Sequence, residues 1–247
     1  MQSQQMNLDV ISNNLANVNT TGFKMSKLQF QDMLYETTKA AGSTQGGGNQ
    51  LPASLQVGQG AAPAATTRLF TQGEMSKTGN NLDLAISGNG FFEVQTPSGL
   101  AYTRDGGFKP NKDGIIVTND GYPVQGFQPV PAGTTDITIT AGGDVTYKTA
   151  SGNTSFKVQL ARFINPGGLD ATGHNLYKTT EASGTAELGT PGENGYGEVQ
   201  QGYLELSNVS VVQEMVNLIL AQRAYEVNSK AVQAADQMMQ QSNNLQR

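Results

Sequence analysis

Four carboxylates in the middle of the chain, Asp83, Glu93, Asp105 and Asp113, are the side chains best suited to acid–base chemistry. Glycoside hydrolysis would need two of them about 5 to 9.5 Å apart, a distance that no spacing here sets, and the chain has no Trp to stack on a sugar ring. Gly88-Asn89-Gly90-Phe91-Phe92-Glu93 imitates the opening of a dinucleotide fingerprint, but Glu93 stands where the third Gly belongs and strand signals follow instead of a helix. It reads as a tight turn feeding a strand. The Asp-Gly pairs Asp105-Gly106, Asp113-Gly114 and Asp120-Gly121, with Gly142-Gly143, lack the ligand spacing of a calcium loop and read as hairpin turns in which Gly supplies a positive φ.

Other chemistries fail on composition. There is no Cys and a single His, His174, so neither a thiolate nucleophile nor a Cys/His zinc site can be assembled in one chain. His174 reads as a solvated loop residue. Tyr102-Thr103-Arg104-Asp105 reads as a strand end whose charges are solvated or paired locally, and Met215, Met238 and Met239 as helix packing. The formal charge of −5 and the lack of a basic stretch interleaved with aromatics argue against nucleic acid. Catalytic, cofactor and metal sites are expected to be absent, and the chain is expected not to be an enzyme.

The elements that frame these residues fall into ends and middle. Leu8, Ile11, Leu15 and Val18 recur at spacings of three, four and three, which predicts a helix from Met1 to Asn19 closed by Gly22. Its many Asn residues lower its intrinsic propensity, so it needs a partner. Leu28, Phe30, Met33, Leu34 and Tyr35 form a short apolar cluster, and Gly, Ser, Thr, Ala and Gln then dominate an extended or flexible connection. From about Leu69 to Leu206 the period becomes that of strands, with runs at 91–94, 115–117, 137–139, 156–163 and 204–206.

After Ser210 the 3.6 period returns. Leu218, Ala221, Tyr225, Asn228, Val232, Ala235 and Met239 alternate by three and four, a coiled-coil seam, with Ser210 and Gln213 suited to a capping box and Glu226 to Lys230 an i,i+4 pair. The expected fold is α+β: a discontinuous helical coiled-coil domain built from the N- and C-terminal segments, with a mainly β body inserted. Its boundaries are 1–36, 37–68 for the connection, 69–206 for the β body, and 207–247.

The second helix outruns the first, leaving Ala235, Met238, Met239 and Leu245 uncovered. The seam is small and polar, so each contact is weak, which suits a polymer. Asn and Gln number 43 against 35 charged residues, and uncharged amides can meet across interfaces without the cost of burying ions. No run of about 18 apolar residues exists to insert in a membrane, and the opening is too polar for a cleavable signal, which by itself predicts a cytosolic protein.

The stretch Asn7 to Lys24 (NLDVISNNLANVNTTGFK) resembles the N-terminal signature of the bacterial flagellar axial proteins, the rod and hook family. The resemblance is renewed at Asp83–Val94 (DLAISGNGFFEV), at Tyr102–Phe108 (YTRDGGF) and from Gly202 to Lys230. Met1 stands six residues ahead of Asn7, where family members carry more helix. The resemblance implies a structural subunit that self-associates into a helical tube in the basal body, spanning the periplasm. Its implied partners are the proximal rod protein, the hook protein, the surrounding basal-body rings and the flagellar type III export apparatus, which would account for the missing signal. It assigns the straightness of the tube to the segment near 37–58. The helical layer and polymer interface would rest on Leu8, Ile11, Asn14, Leu15, Val18, Leu218, Ala221, Tyr225, Asn228, Val232, Ala235 and Met239. A hook protein, another rod component, a secreted β-rich binding module and a glycan-cleaving enzyme are the alternatives at this point.

Overall fold

The computed structural model describes residues 2–41, 44–45, 49–50, 52–131, 133–149 and 152–245, with only the backbone of 44–45, 49–50 and 245 described. Met1, part of the connection and the Leu245 side chain, all read above from sequence, lie outside the described residues. The fold is mixed, with one helix near each end and short strands between. It divides into two compact units. The first joins 1–13, 26–67 and 215–247, and the second joins 14–25 with 68–214.

Helix α1 runs Gln2–Ala16, shorter than the periodicity predicts. Asn17 and its neighbours unwind it: the amides of Asn17 and Val18 donate to carbonyls three residues back, at 3.2 and 3.4 Å, and Thr20 Oγ1 donates to Asn17 Oδ1 at 3.2 Å. Asn side chains compete for local backbone partners in this way. Val18 therefore sits in the turn, not on the helix. Gly22 does not close the helix directly but takes φ +67° in the turn beyond it.

In the first unit, strand Ser26–Asp32 pairs with Ala61–Arg68, and Tyr35–Lys39 pairs antiparallel with Leu55–Gly58. Much of the described part of the stretch read as an extended or flexible connection is thus hydrogen-bonded ribbon. Leu28 is buried, whereas Leu34, Tyr35, Leu55 and Val57 are exposed. Ser3 Oγ donates to the Ala61 carbonyl at 3.0 Å. Helix α2, Val211–Leu245, is 35 residues and so about 52 Å long at about 1.5 Å per residue. Glu226 pairs with Arg223, at 3.4 Å, instead of with Lys230.

The second unit is β-rich. Strand Gly99–Thr103 lies between Phe92–Thr96 and Leu176–Lys178, with Tyr102 opposite Glu93 on one side and Tyr177 on the other. The strands Thr134–Ile139, Asp144–Thr149 and Gly152–Lys157 form an antiparallel meander, and Leu84–Ser87 pairs with Glu198–Gln201. The run read as one strand over 156–163 breaks into the end of Gly152–Lys157 and a separate Leu160–Arg162. The core gathers Leu84, Ile86, Phe92, Val94, Phe108 and Tyr147, and a second cluster stacks Phe91, Tyr102, Phe163 and Tyr177 edge to face.

Some glycines are set by conformation and others by space. Gly114, Gly121 and Gly143 adopt the positive φ that their turns require. Gly106 does not: a Cβ there would lie 1.6 Å from the Leu84 carbonyl oxygen, so close strand approach is what demands Gly. At Gly22 a Cβ would fall 2.5 Å from the Asp105 amide nitrogen, on top of the left-handed φ. Replacing Gly22 by Ala is expected to cost at least about 2 kcal/mol, read as a lowered midpoint in urea unfolding.

Candidate assembly surface and its anchor

Three charged side chains meet inside the β-rich unit. Lys24, two residues past the Gly22 turn, places Nζ 2.5 Å from Glu205 Oε1, and both side chains are fully buried. Arg104, leaving strand Gly99–Thr103, approaches the other Glu205 oxygen at 3.5 Å. The cluster is braced by backbone: Lys24 Nζ donates to the Thr71 carbonyl, Gly73 N–H donates to Glu205 Oε1, and Arg104 donates to the carbonyls of Ile86 and Gly88. Arg104 also lies over the Phe91 ring, 5.4 Å from its centroid. Burial pulls the Lys24 ammonium below its ordinary pKa, and the attraction of Glu205 opposes that pull.

The surrounding contacts tie the same chain segments together. Gly22 N–H donates to the Glu205 carbonyl at 2.8 Å, and Met25 N–H to Asn208 Oδ1 at 2.8 Å. The Asn14 side chain donates to Glu214 Oε2 at 3.4 Å, both residues being buried. The end of α1 and the start of α2 are thereby rooted in one junction. Thr21 Oγ1 donates to Asp105 Oδ1 at 2.9 Å, and Asn175 Nδ2 to the Thr21 carbonyl. Burial raises the pKa of the Asp105 carboxyl above its ordinary value, with neighbouring Asp83 and Asp120 adding to the rise and the bonds from Thr21 and Gly107 opposing it.

The residues singled out for chemistry are occupied by structure. Asp83 accepts from Thr78 Oγ1 and Asn80 Nδ2, Asp113 lies in an exposed turn, and Glu93 faces Tyr102 across a strand pair. Gly88 and Gly90 adopt positive φ ahead of strand Phe92–Thr96. His174 is largely exposed, 3.1 Å from Asp120. Among the described residues no cluster of His, Asp or Glu could hold a metal. Arg104 and Asp105 correct the reading of a solvated or locally paired strand end: Arg104 is 3% exposed and pairs with Glu205, far along the chain.

The seam residues separate by environment. Ile11, Asn14 and Ala221 are buried, and Leu8, Leu15, Val18, Leu218 and Ala235 are half-buried. Tyr225, Asn228, Val232 and Met239 are exposed. No periodicity revealed Lys24, Arg104 or Glu205. The usable signal was that each recognisable motif, at 7–24, 102–108 and 202–230, carries a charge its local structure does not need.

Among the described residues the buried charges are engaged with one another and with backbone, an arrangement that serves structure. Family comparison agrees. Residues 1–24 match the flagella basal body rod protein family, 85–147 the flagellar hook protein FlgE/F/G D1 domain, and 200–245 the flagellar basal body rod FlgEFG protein C-terminal family. The flagellar basal-body rod protein FlgG of Buchnera aphidicola subsp. Acyrthosiphon pisum is 45% identical, covering 99% of this chain and 96% of the relative. The FlgG of Caulobacter vibrioides is 48% identical over 99% and 95%, and the FlgF rod protein of that organism 37% over 90% and 84%. The chain belongs to the flagellar basal-body rod protein family. It is a structural subunit of the distal rod, not an enzyme, and its place is the flagellar basal body. Membership implies self-polymerisation and association with other rod and hook components.

Removing the negative charge of the buried cluster leaves two cations facing each other. Glu205→Gln is expected to cost about 3 to 5 kcal/mol, while the double variant Lys24→Met/Glu205→Met loses less, as measured by urea unfolding. Asp105 gives a pH signature. Because its folded pKa is raised, its contribution is fully present below the unfolded pKa near 3.8 and is lost as pH rises through the folded value. Asp105→Asn, permanently neutral and still able to accept both bonds, is expected to flatten the decline in melting temperature above pH 4.

Proposed function

We propose that this subunit polymerises through its terminal helices into a rigid tube that carries torque from the proximal rod protein to the hook protein. The helical coiled-coil domain comprises 1–36 and 207–247, the connection 37–68, and the inserted β body 69–206. In this reading the helices form the inner layer and the β body the outer one, with the surrounding basal-body rings outside and the type III export apparatus delivering the chain. The observation that carries it is the exposure of the α2 seam: Tyr225 is 38% exposed, Val232 51% and Met239 65%. An apolar stripe left in water is a surface looking for a neighbour.

Torque transmission follows from geometry. Weak identical contacts add along a closed tube, and sliding one unit breaks several at once. The small, polar character of the seam, with Ala221, Asn228 and Ala235 between larger residues, keeps each contact weak enough for ordered assembly. The hydrogen-bonded ribbon between Tyr35–Lys39 and Leu55–Gly58 supports a role for 37–58 in stiffening the tube, since a paired ribbon bends less freely than a coil.

Leu218→Asp or Tyr225→Asp, made in the full chain, is expected to abolish polymers in electron micrographs of concentrated protein while the melting of the β-rich unit stays unchanged. Rods of normal appearance from both variants, together with normal swimming, would overturn the seam assignment.

A further inference from the structure

Among the described residues, three buried side-chain atoms have no hydrogen-bond partner in the protein: Arg104 Nε, Glu205 Oε2 and Tyr177 Oη. All three lie in one neighbourhood of the β-rich unit. Arg104 Nη1 stands 3.5 Å from Glu205 Oε2 in an ion pair that makes no hydrogen bond. The same guanidinium lies over the Phe91 ring, which Tyr177 meets edge to face with centroids 6.2 Å apart. Burial holds the Tyr177 phenol above its ordinary pKa; the charges of Arg68 and Arg104 oppose that rise and Glu205 adds to it, so both cluster charges act on the hydroxyl. Each orphan is what remains once its side chain's other groups are used. Arg104 Nη1 and Nη2 donate to the Ile86 and Gly88 carbonyls, which leaves Nε–H. Glu205 Oε1 accepts from Lys24 and from the Gly73 amide, which leaves Oε2. Arg68 lies over the face of Tyr177, 5.5 Å from its centroid, whereas the hydroxyl's lone pairs lie near the ring plane, so it adds attraction without an aligned bond.

We infer that Arg104, Glu205 and Tyr177 form a binding site for one internal water molecule. The donor set selects that ligand. The site offers two donors, Arg104 Nε–H and Tyr177 O–H, and one acceptor, Glu205 Oε2. An anion would satisfy both donors but face the carboxylate oxygen, and a cation would face Arg104 with Lys24 close by. A small neutral molecule that both accepts and donates has neither conflict. Water accepts from Arg104 Nε–H and Tyr177 O–H and donates to Glu205 Oε2, and about three such bonds are the usual complement of a buried water. The inference stands apart from how the chain assembles. It adds a fourth segment to the cluster: Lys24, Arg104 and Glu205 join the three recognisable motifs, and the water ties the strand Leu176–Lys178 to them through Tyr177. It also gives the Tyr177 hydroxyl a task, since the edge-to-face contacts with Phe70 and Phe91 need only its ring.

The full-length subunit, kept dilute, tests the site. In nuclear magnetic resonance, magnetisation from water is expected to pass to the Arg104 Nε–H proton with the sign given by a held molecule. Diffraction at a resolution that shows ordered water is expected to place one oxygen about 2.7 to 3.2 Å from all three atoms. Tyr177→Phe removes one of the three bonds: the transfer is expected to persist, while oxygen-17 relaxation dispersion shows the residence of the water shortened by about fivefold to tenfold. Tyr147→Phe, which loses a hydroxyl bonded to the Gln128 carbonyl in the other core cluster, is expected to change neither. Loss of the transfer in folded Tyr177→Phe would mean that the hydroxyl proton had relayed it, and would overturn the site. So would density that joins the three atoms directly to one another or to Arg68, or bromide, located by its anomalous signal, in place of the water. Diffraction uses the unsubstituted protein, so its result stands whether or not Tyr177→Phe folds.

Discussion

The structure depends on the burial of Lys24, Glu205 and Arg104 in a single cluster. Three charges removed from water are costly unless paired and hydrogen-bonded, and here the backbone carbonyls of Thr71, Ile86 and Gly88 and the Gly73 amide supply further partners, while Arg104 Nε and Glu205 Oε2 are buried without a hydrogen bond among the described residues. A hydrophobic substitute could give comparable stability, so the distinctive contribution is geometric. An ion cluster with fixed donors and acceptors admits one register, whereas an apolar contact tolerates sliding. It pins a residue from the N-terminal motif, one from the middle motif and one from the C-terminal motif at a common point.

That pinning decides what the terminal helices can do. The last residues of α1 and the first of α2 are held within the β-rich unit: Asn14 bonds Glu214, the Gly22 amide the Glu205 carbonyl, and Met25 Asn208. Over its whole length α2 carries five charges in 35 residues and α1 one in 15, and much of the apolar surface of α2 is exposed. The root is built from buried, directional contacts within one chain, while α2 leaves many amides and apolar side chains exposed to water.

The two helices were legible because a 3.6 period survives in Leu8, Ile11 and Leu15 and in Leu218 through Met239. The turn after α1 was not, since Asn17 and Asn19 tip the balance through local bonds that periodicity does not register. The stretch after Tyr35 reads only as an extended or flexible connection because its Thr, Gln and Gly residues carry no alternation that would show its strand pairing. Its strands are held by backbone pairing and are exposed on both faces, so there was no hydrophobic signal to read. Gly106 looked like a turn residue and is a contact residue. The ion cluster escaped for a general reason: Lys24 and Glu205 lie 181 residues apart, and a charge pair leaves no period in a sequence.

Within the β-rich unit the strongest contacts are those with no alternative. A slip that separated Lys24 from Glu205 would leave two fully buried side chains charged and unpaired, and the unit resists it because that loss is not made good by bulk solvent. The exposed amides of α2 differ: an Asn or Gln that loses a partner there regains one from water at little cost.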